Sequence, residues 1–197
     1  MNYKEKLEAL VEKNNGLILT KDVTSAGIPR VYIAQFVALG VLEKLERGSY
    51  VAKDSFDDTM YRLQAKYPSV IFSHDTALFL HDLTDRDPLQ YVVTVPAGYN
   101  SQNIKDSGIK VHSIKKELYE SGLCNARTSF GREIKVYDME RTICDILRSR
   151  SQMDIAILTD ALKRYAMRKD KNLPQLMRYA ESFKVSKILR NYMEVLL

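Results

Sequence analysis

The chain has 197 residues, of which 45% are hydrophobic, and it contains two cysteines. This composition predicts one large or two small globular domains; it excludes a disordered chain and a disulfide-rich secreted scaffold, and no apolar run approaches the ~20 residues of a membrane-spanning helix. The net charge of +5 permits binding to nucleic acid without demonstrating it.

The charge is spread unevenly along the chain. Residues 1–53 hold 8 basic and 6 acidic residues, residues 54–145 hold 11 and 14, and residues 146–197 hold 11 and 5. The two ends are therefore basic and the middle is acidic. The amino-terminal segment is charged and helical in pattern, unlike a signal peptide, so we expect a cytoplasmic protein with no membrane partner.

The first fifty residues have the pattern of a winged helix-turn-helix. An amphipathic helix over residues 3–14 is followed by a short apolar strand over residues 17–19. Thr20 is predicted to cap a second helix, which Gly27 ends. Pro29 is predicted to take the first position of a third helix, where its missing N–H costs nothing.

The third helix has one buried and one exposed face. Ile33, Phe36 and Val37 recur at i, i+3 and i+4, so they predict a stripe packed on the core, and Gly40 ends the helix. The opposite face is short and mostly polar. Such a face is typical of a helix that enters the major groove of B-DNA.

Residues 41–51 predict a β-hairpin, the wing, with Gly48 in a tight turn that needs a positive φ. At the wing tip an arginine can meet a phosphate or the minor groove. We expect base contacts from Arg30, Tyr32 and Gln35 and backbone contacts from the flanking cations. The predicted DNA-binding residues are Lys21, Arg30, Tyr32, Gln35, Lys44, Arg47 and Ser49.

A polar segment over residues 52–58 indicates a boundary between a domain over residues 1–53 and a second over residues 54–197. In chain order the second domain is predicted to contain helix 57–67, strand 70–72, a helix from Ser73 as its cap to residue 81, strands 90–95 and 110–114, hairpin 128–136, and helices 138–149, 153–168, 173–183 and 185–197. The predicted fold class is α+β, a winged helix-turn-helix plus a larger mixed α/β domain that ends in a helical bundle.

Patterns that suggest catalysis are weak. Glu133 and Lys135 form an E-x-K on a predicted strand with Asp106 upstream, as in some metal-dependent nucleases, but so short a pattern arises often by chance. His74 and His81 lie seven residues apart without an obvious third metal ligand. There is no Gly-rich phosphate loop and no nucleophilic triad signature. We therefore expect no enzyme activity, no metal and no cofactor.

Residues 19–51 resemble the N-terminal winged helix of the AbiEi antitoxin family. The segments SHDTALFLHDLTD, YVVTVP and VYDMERTICDILR resemble parts of its C-terminal domain, above all the D-x-E-R-T run at residues 138–145. The resemblance implies the antitoxin of a type IV toxin–antitoxin pair that gives abortive-infection resistance to phage. It also implies that the N-terminal domain represses its own operon, while the C-terminal domain neutralises a nucleotidyltransferase-like toxin without a stable complex.

On this resemblance we expect a double-stranded DNA operator with inverted repeats in the chain's own promoter. The chain would be a monomer in solution, with two copies cooperating on DNA. A second basic surface, for DNA or an acidic partner, and an ordinary solvated helix face are equally open for Arg148, Arg150, Lys163, Arg164 and Arg168. Two rival hypotheses also stay open: a DNA-binding nuclease that uses Glu133 and Lys135, and a winged helix that binds only proteins.

Overall fold

The computed structural model describes residues 2–53 and 55–196. Asp54 and Leu197, the two ends of the predicted second domain, lie outside the described residues. The chain divides into two compact units, Met1–Arg62 and Leu63–Leu197. This division falls later than the one expected after residue 53. Arg62, at the end of the first unit, forms ion pairs with Glu46 at 2.6 Å and Asp57 at 2.8 Å.

The N-terminal unit has the predicted order of elements. They are α1 (Tyr3–Lys13), β1 (Leu17–Leu19), α2 (Thr20–Ser25), α3 (Val31–Ala38), β2 (Leu42–Glu46) and β3 (Ser49–Ala52). The strands form an antiparallel sheet in the order β1-β3-β2. Its core contains Leu7 of α1, Ile18 of β1, and Ile33 and Phe36 of α3, because each of these elements turns one apolar face inward.

Two helix starts in this unit differ from the prediction. Thr20 is the first residue of α2 and not its cap, since Leu19 holds that position and its backbone N donates to the Asp22 carboxylate at 3.2 Å. Pro29 precedes α3, whose N-cap is Arg30. The turn between the two helices is therefore longer than the pattern indicated.

The C-terminal unit is built on a mixed five-stranded sheet. The elements from the unit boundary onward are α4 (Thr59–Lys66), β4 (Ile71–Phe72), α5 (His74–Leu80), β5 (Val92–Pro96), α6 (Gln102–Asp106), β6 (Lys110–Ile114), α7 (Lys116–Tyr119), β7 (Leu123–Arg127), β8 (Glu133–Tyr137), α8 (Met139–Arg148), α9 (Ile155–Met167), α10 (Leu173–Ser182) and α11 (Ser186–Leu196). The unit boundary falls within α4. The strand order is β6-β5-β4-β8-β7, with β4 parallel to β8 and β5 parallel to β6. The predicted α+β class is confirmed.

Helix α8 is the centre of the helical core. Every residue from Glu140 to Leu147 is buried, and α5, α9, α10 and α11 contribute to the same apolar cluster. The hairpin predicted over residues 128–136 is present and turns at Gly131, but its first strand, β7, lies before residue 128. The pattern missed this strand because its side chains alternate between exposed and partly buried and its apolar signal is weak. No helix among the described residues is both long and apolar enough to cross a bilayer.

Candidate nucleic-acid interface

Helix α3 presents one face to solvent because the other face is anchored in the core. Ile33 and Phe36 are each 3% exposed, as the predicted stripe requires. Arg30, at the N-cap, and Gln35, on the second turn, are both exposed. A cation and an amide thus project from the N-terminal half of this helix, where a recognition helix reaches base edges.

The wing is held beside the start of α2. Gly48, at φ +88°, forms the turn between β2 and β3 and leaves Arg47 exposed at the tip. The Thr20 backbone N donates to the Gly48 carbonyl oxygen at 2.8 Å. This bond places the wing tip close to the helix-turn-helix.

A single surface groove joins α3 to the wing. Its lining residues are Thr20, Arg30, Ile33, Ala34, Arg47, Gly48 and Tyr50. Lys44 lies directly opposite Tyr50 in the hairpin and therefore on the same face of the sheet. No acidic side chain is among the described residues that line this groove, so its fixed charge comes from arginines.

The other predicted contact residues occupy different environments. Lys21 is exposed on the first turn of α2. Tyr32 is partly buried, with its ring 5.4 Å from the ring of Tyr3, so it helps pack α3 against α1. Ser49 is only 3% exposed, and we do not retain it as a DNA contact because strand pairing in β3 turns its side chain inward.

The exposed face of α3 also carries an apolar side chain that the sequence reasoning did not select. Val31 is 57% exposed on the first turn. An apolar side chain at this position can contact the C5-methyl group of thymine. Its exposure, on a helix whose other apolar residues at 33 and 36 are buried, is the signal that identifies it.

The comparison with family models matches residues 5–53 to "Transcriptional regulator, AbiEi antitoxin". Residues 5–53 are therefore similar to the regulator domain of AbiEi antitoxins. The resemblance inferred from the winged-helix residues is therefore confirmed over this stretch. Comparison with curated proteins gives no match.

The fold is also similar to a solved structure, the crystal structure of RV2827C protein from Mycobacterium tuberculosis. The TM-score is 0.64 at 14% sequence identity, covering 96% of this chain and 77% of that one. At this identity the similarity is evidence for the fold alone.

In the C-terminal unit, the D-x-E-R-T run is a hydrogen-bonding centre. The Asp138 carboxylate accepts from the Arg141 backbone N at 2.7 Å and so caps α8. Glu140 Oε1 accepts from the Tyr165 hydroxyl at 3.0 Å and from the Asn172 backbone N at 2.8 Å. These bonds tie α8 to α9 and to the start of α10, so the run has a structural role.

The five residues predicted for a second basic surface differ in the partners that they contact. Arg164 pairs with Asp160 at 2.8 Å and with Asp85 at 3.2 Å. Arg168 donates two hydrogen bonds to Asp170, each of 2.8 Å, and Lys163 is exposed on the same helix. Because Arg164 on α9 and Arg168 directly after it are paired with carboxylates, this end of the helix is less cationic than its composition suggests.

The remaining two cations of that set, Arg148 and Arg150, lie at the end of α8 and in the turn that follows. Both are exposed. The Arg150 side chain donates to the Leu147 carbonyl oxygen at 3.1 Å, whereas Arg148 lines a small cavity in the C-terminal unit. A basic surface shared by these two residues and α9 stays a prediction.

The structure does not assemble the nuclease pattern. Glu133 and Lys135 lie on the exposed face of β8, while Asp106 ends α6 and its carboxylate accepts from Gln102 at 2.7 Å. Helix α6 packs on β6, three strands away from β8 in the sheet order. At about 4.8 Å per strand, this separates the groups by roughly 14 Å. The described residues contain no group of three or more histidine, cysteine or acidic side chains that could hold a metal.

Proposed function

We propose that the chain is a sequence-specific repressor of its own operon and the antitoxin of a type IV toxin–antitoxin pair. The observation that carries the proposal is the groove shared by Arg30 and Arg47 in a unit that matches AbiEi regulators. A recognition helix and a wing with one positively charged groove between them fit a DNA duplex, with α3 in the major groove and the wing on the adjacent backbone.

The roles of the individual residues follow from their chemistry. Arg30 has the donors for the guanine O6 and N7 atoms, Gln35 can bond adenine, and Val31 can contact a thymine methyl group. Lys21, Lys44 and Arg47 neutralise phosphates and strengthen binding to all sequences alike. Tyr32 belongs to the base-reading set only through the part of its ring that α1 leaves exposed.

The proposal extends to partners and cellular role. The operator is a double-stranded inverted repeat in the chain's own promoter, and two copies that are monomers in solution bind its half-sites. The C-terminal unit neutralises a nucleotidyltransferase-like toxin in the cytoplasm without a stable complex, and the pair confers abortive-infection resistance to phage. The family match over residues 5–53 and the basic groove support the regulatory half; the resemblance of residues 138–145 supports the antitoxin half.

The test of the regulatory half is footprinting on the chain's own promoter fragment. Arg30→Ala and Gln35→Ala should each cost about 1–3 kcal/mol and relax specificity at one base pair. Arg47→Ala should weaken binding to every sequence and reduce the slope of log K against log salt by about 0.9. Lys13→Ala, which removes an exposed cation at the far end of α1, is the matched control.

An unchanged footprint and affinity for both Arg30→Ala and Gln35→Ala would show that α3 is not the recognition helix. A promoter that the full chain fails to shift even at low salt would instead favour a winged helix that binds only proteins.

A further inference from the structure

A small cavity lies in the C-terminal unit where β5, β6, the start of α5 and the end of α8 meet. His74, His112, Arg141, Asp145, Arg148 and Ser149 are among its lining residues. Its volume is about 30 Å³. This is below the roughly 300–1,000 Å³ of pockets that hold drug-sized ligands, so a fitting occupant is small.

The floor of this cavity is a buried arginine with one unused group. The Arg141 side chain is 0% exposed, and its Nε donates to Asp145 at 3.0 Å. Its Nη1 donates to the carbonyl oxygens of Leu118 at 2.8 Å and Ser121 at 2.6 Å. Its Nη2 has no acceptor among the described residues. Since the other nitrogens are engaged, Nη2 is the group that Arg141 offers to the cavity.

The arginine is also held rigidly in place. Its guanidinium carbon lies 3.9 Å from the ring centroid of Tyr137 and 4.1 Å from that of Phe183. These two aromatic rings, together with the hydrogen bonds from Nε and Nη1, fix the orientation of the guanidinium and therefore the direction of Nη2. A preorganised, desolvated guanidinium of this kind binds an oxyanion more strongly than an exposed one does.

The wall of the cavity adds further donors. The His74 and His112 rings stack at 3.8 Å between centroids. Thr94 donates to the Ser73 hydroxyl, which lies 3.0 Å from His74 Nδ1, and His74 Nε2 lies 3.1 Å from Ser149 Oγ. In the tautomer that has the hydrogen on His74 Nε2, Ser149 Oγ accepts this bond and its own hydroxyl hydrogen can point into the cavity.

The charge around the cavity is positive. Arg141 and Arg148 line it, Asp145 is the one carboxylate among its described lining residues, and that carboxylate is already bonded to Arg141. Lys110 is close enough to act on both imidazoles electrostatically. Burial, Lys110 and Arg148 lower the pKa of His112 to about 4. Burial is also the largest cause that lowers the pKa of His74 well below its usual value. A metal cation would be repelled here, whereas an anion would be attracted.

We propose that this cavity is a binding site for a single phosphate group, held by Arg141 Nη2, Arg148, the Ser149 hydroxyl and His112 Nε2. The His112 Nε2 atom is buried and, like Arg141 Nη2, has no partner among the described residues. The phosphate belongs either to inorganic phosphate or to the terminal group of a small phosphate ester. The site does not depend on the DNA-binding function proposed above.

The experiment is calorimetric titration of the full chain with inorganic phosphate at constant ionic strength, with thermal unfolding at rising phosphate concentration as a second readout. We expect saturable binding at one site and a melting temperature that rises with phosphate concentration, since a ligand that binds only the folded state stabilises it. Titration with adenosine monophosphate distinguishes the two sources, because tighter binding than that of phosphate identifies an ester and exclusion identifies the free ion.

Variants at the mouth of the cavity test the assigned donors. Arg148→Gln and Ser149→Ala should each weaken phosphate binding, Arg148→Gln by about tenfold or more, as for loss of a charge-assisted hydrogen bond. Arg150→Gln removes the same charge two residues away and outside the cavity, so it should leave binding unchanged. Arg141→Lys serves as a further variant if it folds, since it retains the charge but not the planar donor set.

Absence of saturable binding by both phosphate and adenosine monophosphate at millimolar concentrations would overturn the proposal. Equal weakening by Arg148→Gln and Arg150→Gln would also overturn it, because the effect would then be one of net surface charge. Loss of DNA binding in the Arg30 and Arg47 variants has no bearing on these outcomes, so the two proposals fail independently.

Discussion

Gly122 lies where the backbone passes closest to Arg141. Its φ is +80°, its carbonyl oxygen accepts from the Asp138 backbone N at 2.7 Å, and an added Cβ would lie 2.6 Å from the Arg141 Cβ. Positive φ alone does not distinguish this glycine, since Gly108 has φ +81° with nothing within 4 Å of its Cβ position. The close approach to a buried side chain is what sets Gly122 apart.

This comparison gives a matched pair of substitutions. Gly108→Ala should destabilise the protein by about 1–2 kcal/mol through backbone strain alone. Gly122→Ala adds a clash with a rigid side chain, so we expect a further loss of about 1–3 kcal/mol. Urea unfolding of both variants measures the difference. Equal losses would mean that Arg141 moves easily and is not held as the contacts indicate.

His74 sets a pH dependence of stability. The residue has φ +49°, is 7% exposed, and faces His112, Lys110, Arg141 and Arg148. Burial and these neighbours keep its pKa well below 6.5 in the folded state, so the unfolded state binds the proton more readily. The stability that the neutral ring contributes is therefore fully present above pH 6.5 and is lost as the pH falls below it.

The variant His74→Asn removes this titration and tolerates the left-handed backbone, which Asn adopts readily. Each histidine protonated only on unfolding adds a slope of up to about 1.4 kcal/mol per pH unit. Between pH 6.5 and 5 the free energy of unfolding should thus fall less steeply in His74→Asn than in the parent chain. Chemical unfolding at a series of pH values gives both slopes, and parallel curves would contradict the assignment.

At the scale of elements, the D-x-E-R-T run explains how one helix organises the C-terminal unit. Helix α8 is buried along nearly its whole length, which requires its polar residues to be bonded. Asp138 caps the helix and also accepts from the Tyr179 hydroxyl at 3.1 Å, and Thr142 donates to the Tyr137 carbonyl oxygen at 3.4 Å. The polar residues of the run therefore connect α8 to its neighbours.

Glu140 offers a direct test of this role. Glu140→Ala leaves two donors, the Tyr165 hydroxyl and the Asn172 backbone N, without their shared acceptor, and should cost about 2–4 kcal/mol. Glu140→Gln retains an acceptor oxygen and should cost less. Glu181→Ala, on the exposed side of α10, should stay within about 0.5 kcal/mol. Thermal and urea unfolding rank the three variants. If Glu140→Gln lost as much free energy of unfolding as Glu140→Ala, the acceptor role of Glu140 would be refuted.

For the whole molecule, the division into two compact units predicts that repression and antitoxin activity separate. Arg30→Ala combined with Arg47→Ala changes only exposed residues, so folding should be intact. This variant should lose repression yet still neutralise the toxin, which we assign to the C-terminal unit. A promoter reporter run beside toxin co-expression tests both activities, with Lys4→Ala plus Lys13→Ala as a control of equal charge change. A folded double variant that loses protection together with repression would mean that antitoxin activity depends on DNA binding.

The winged helix was predictable because its signals are local. The glycines at 27, 40 and 48, the stripe at 33 and 36, and the order of short elements all act within a few residues of one another, so one sequence carries them. The pattern did not predict how far two side chains are buried. Tyr32 packs on Tyr3, and Ser49 is only 3% exposed. Both depend on which neighbours the tertiary fold supplies.

By itself, the sequence determined the class of the protein, the N-terminal domain and its groove-facing arginines, since periodicity and turn chemistry specify local structure. Only the tertiary structure showed which residues of the C-terminal unit come together at its cavity. His112 comes from β6, His74 from the start of α5 and Arg141 from α8, and the strand order β6-β5-β4-β8 brings these distant segments around one cavity. Residues separated by tens of positions carry no shared periodicity, so their convergence follows from long-range packing and strand pairing, which no local pattern records.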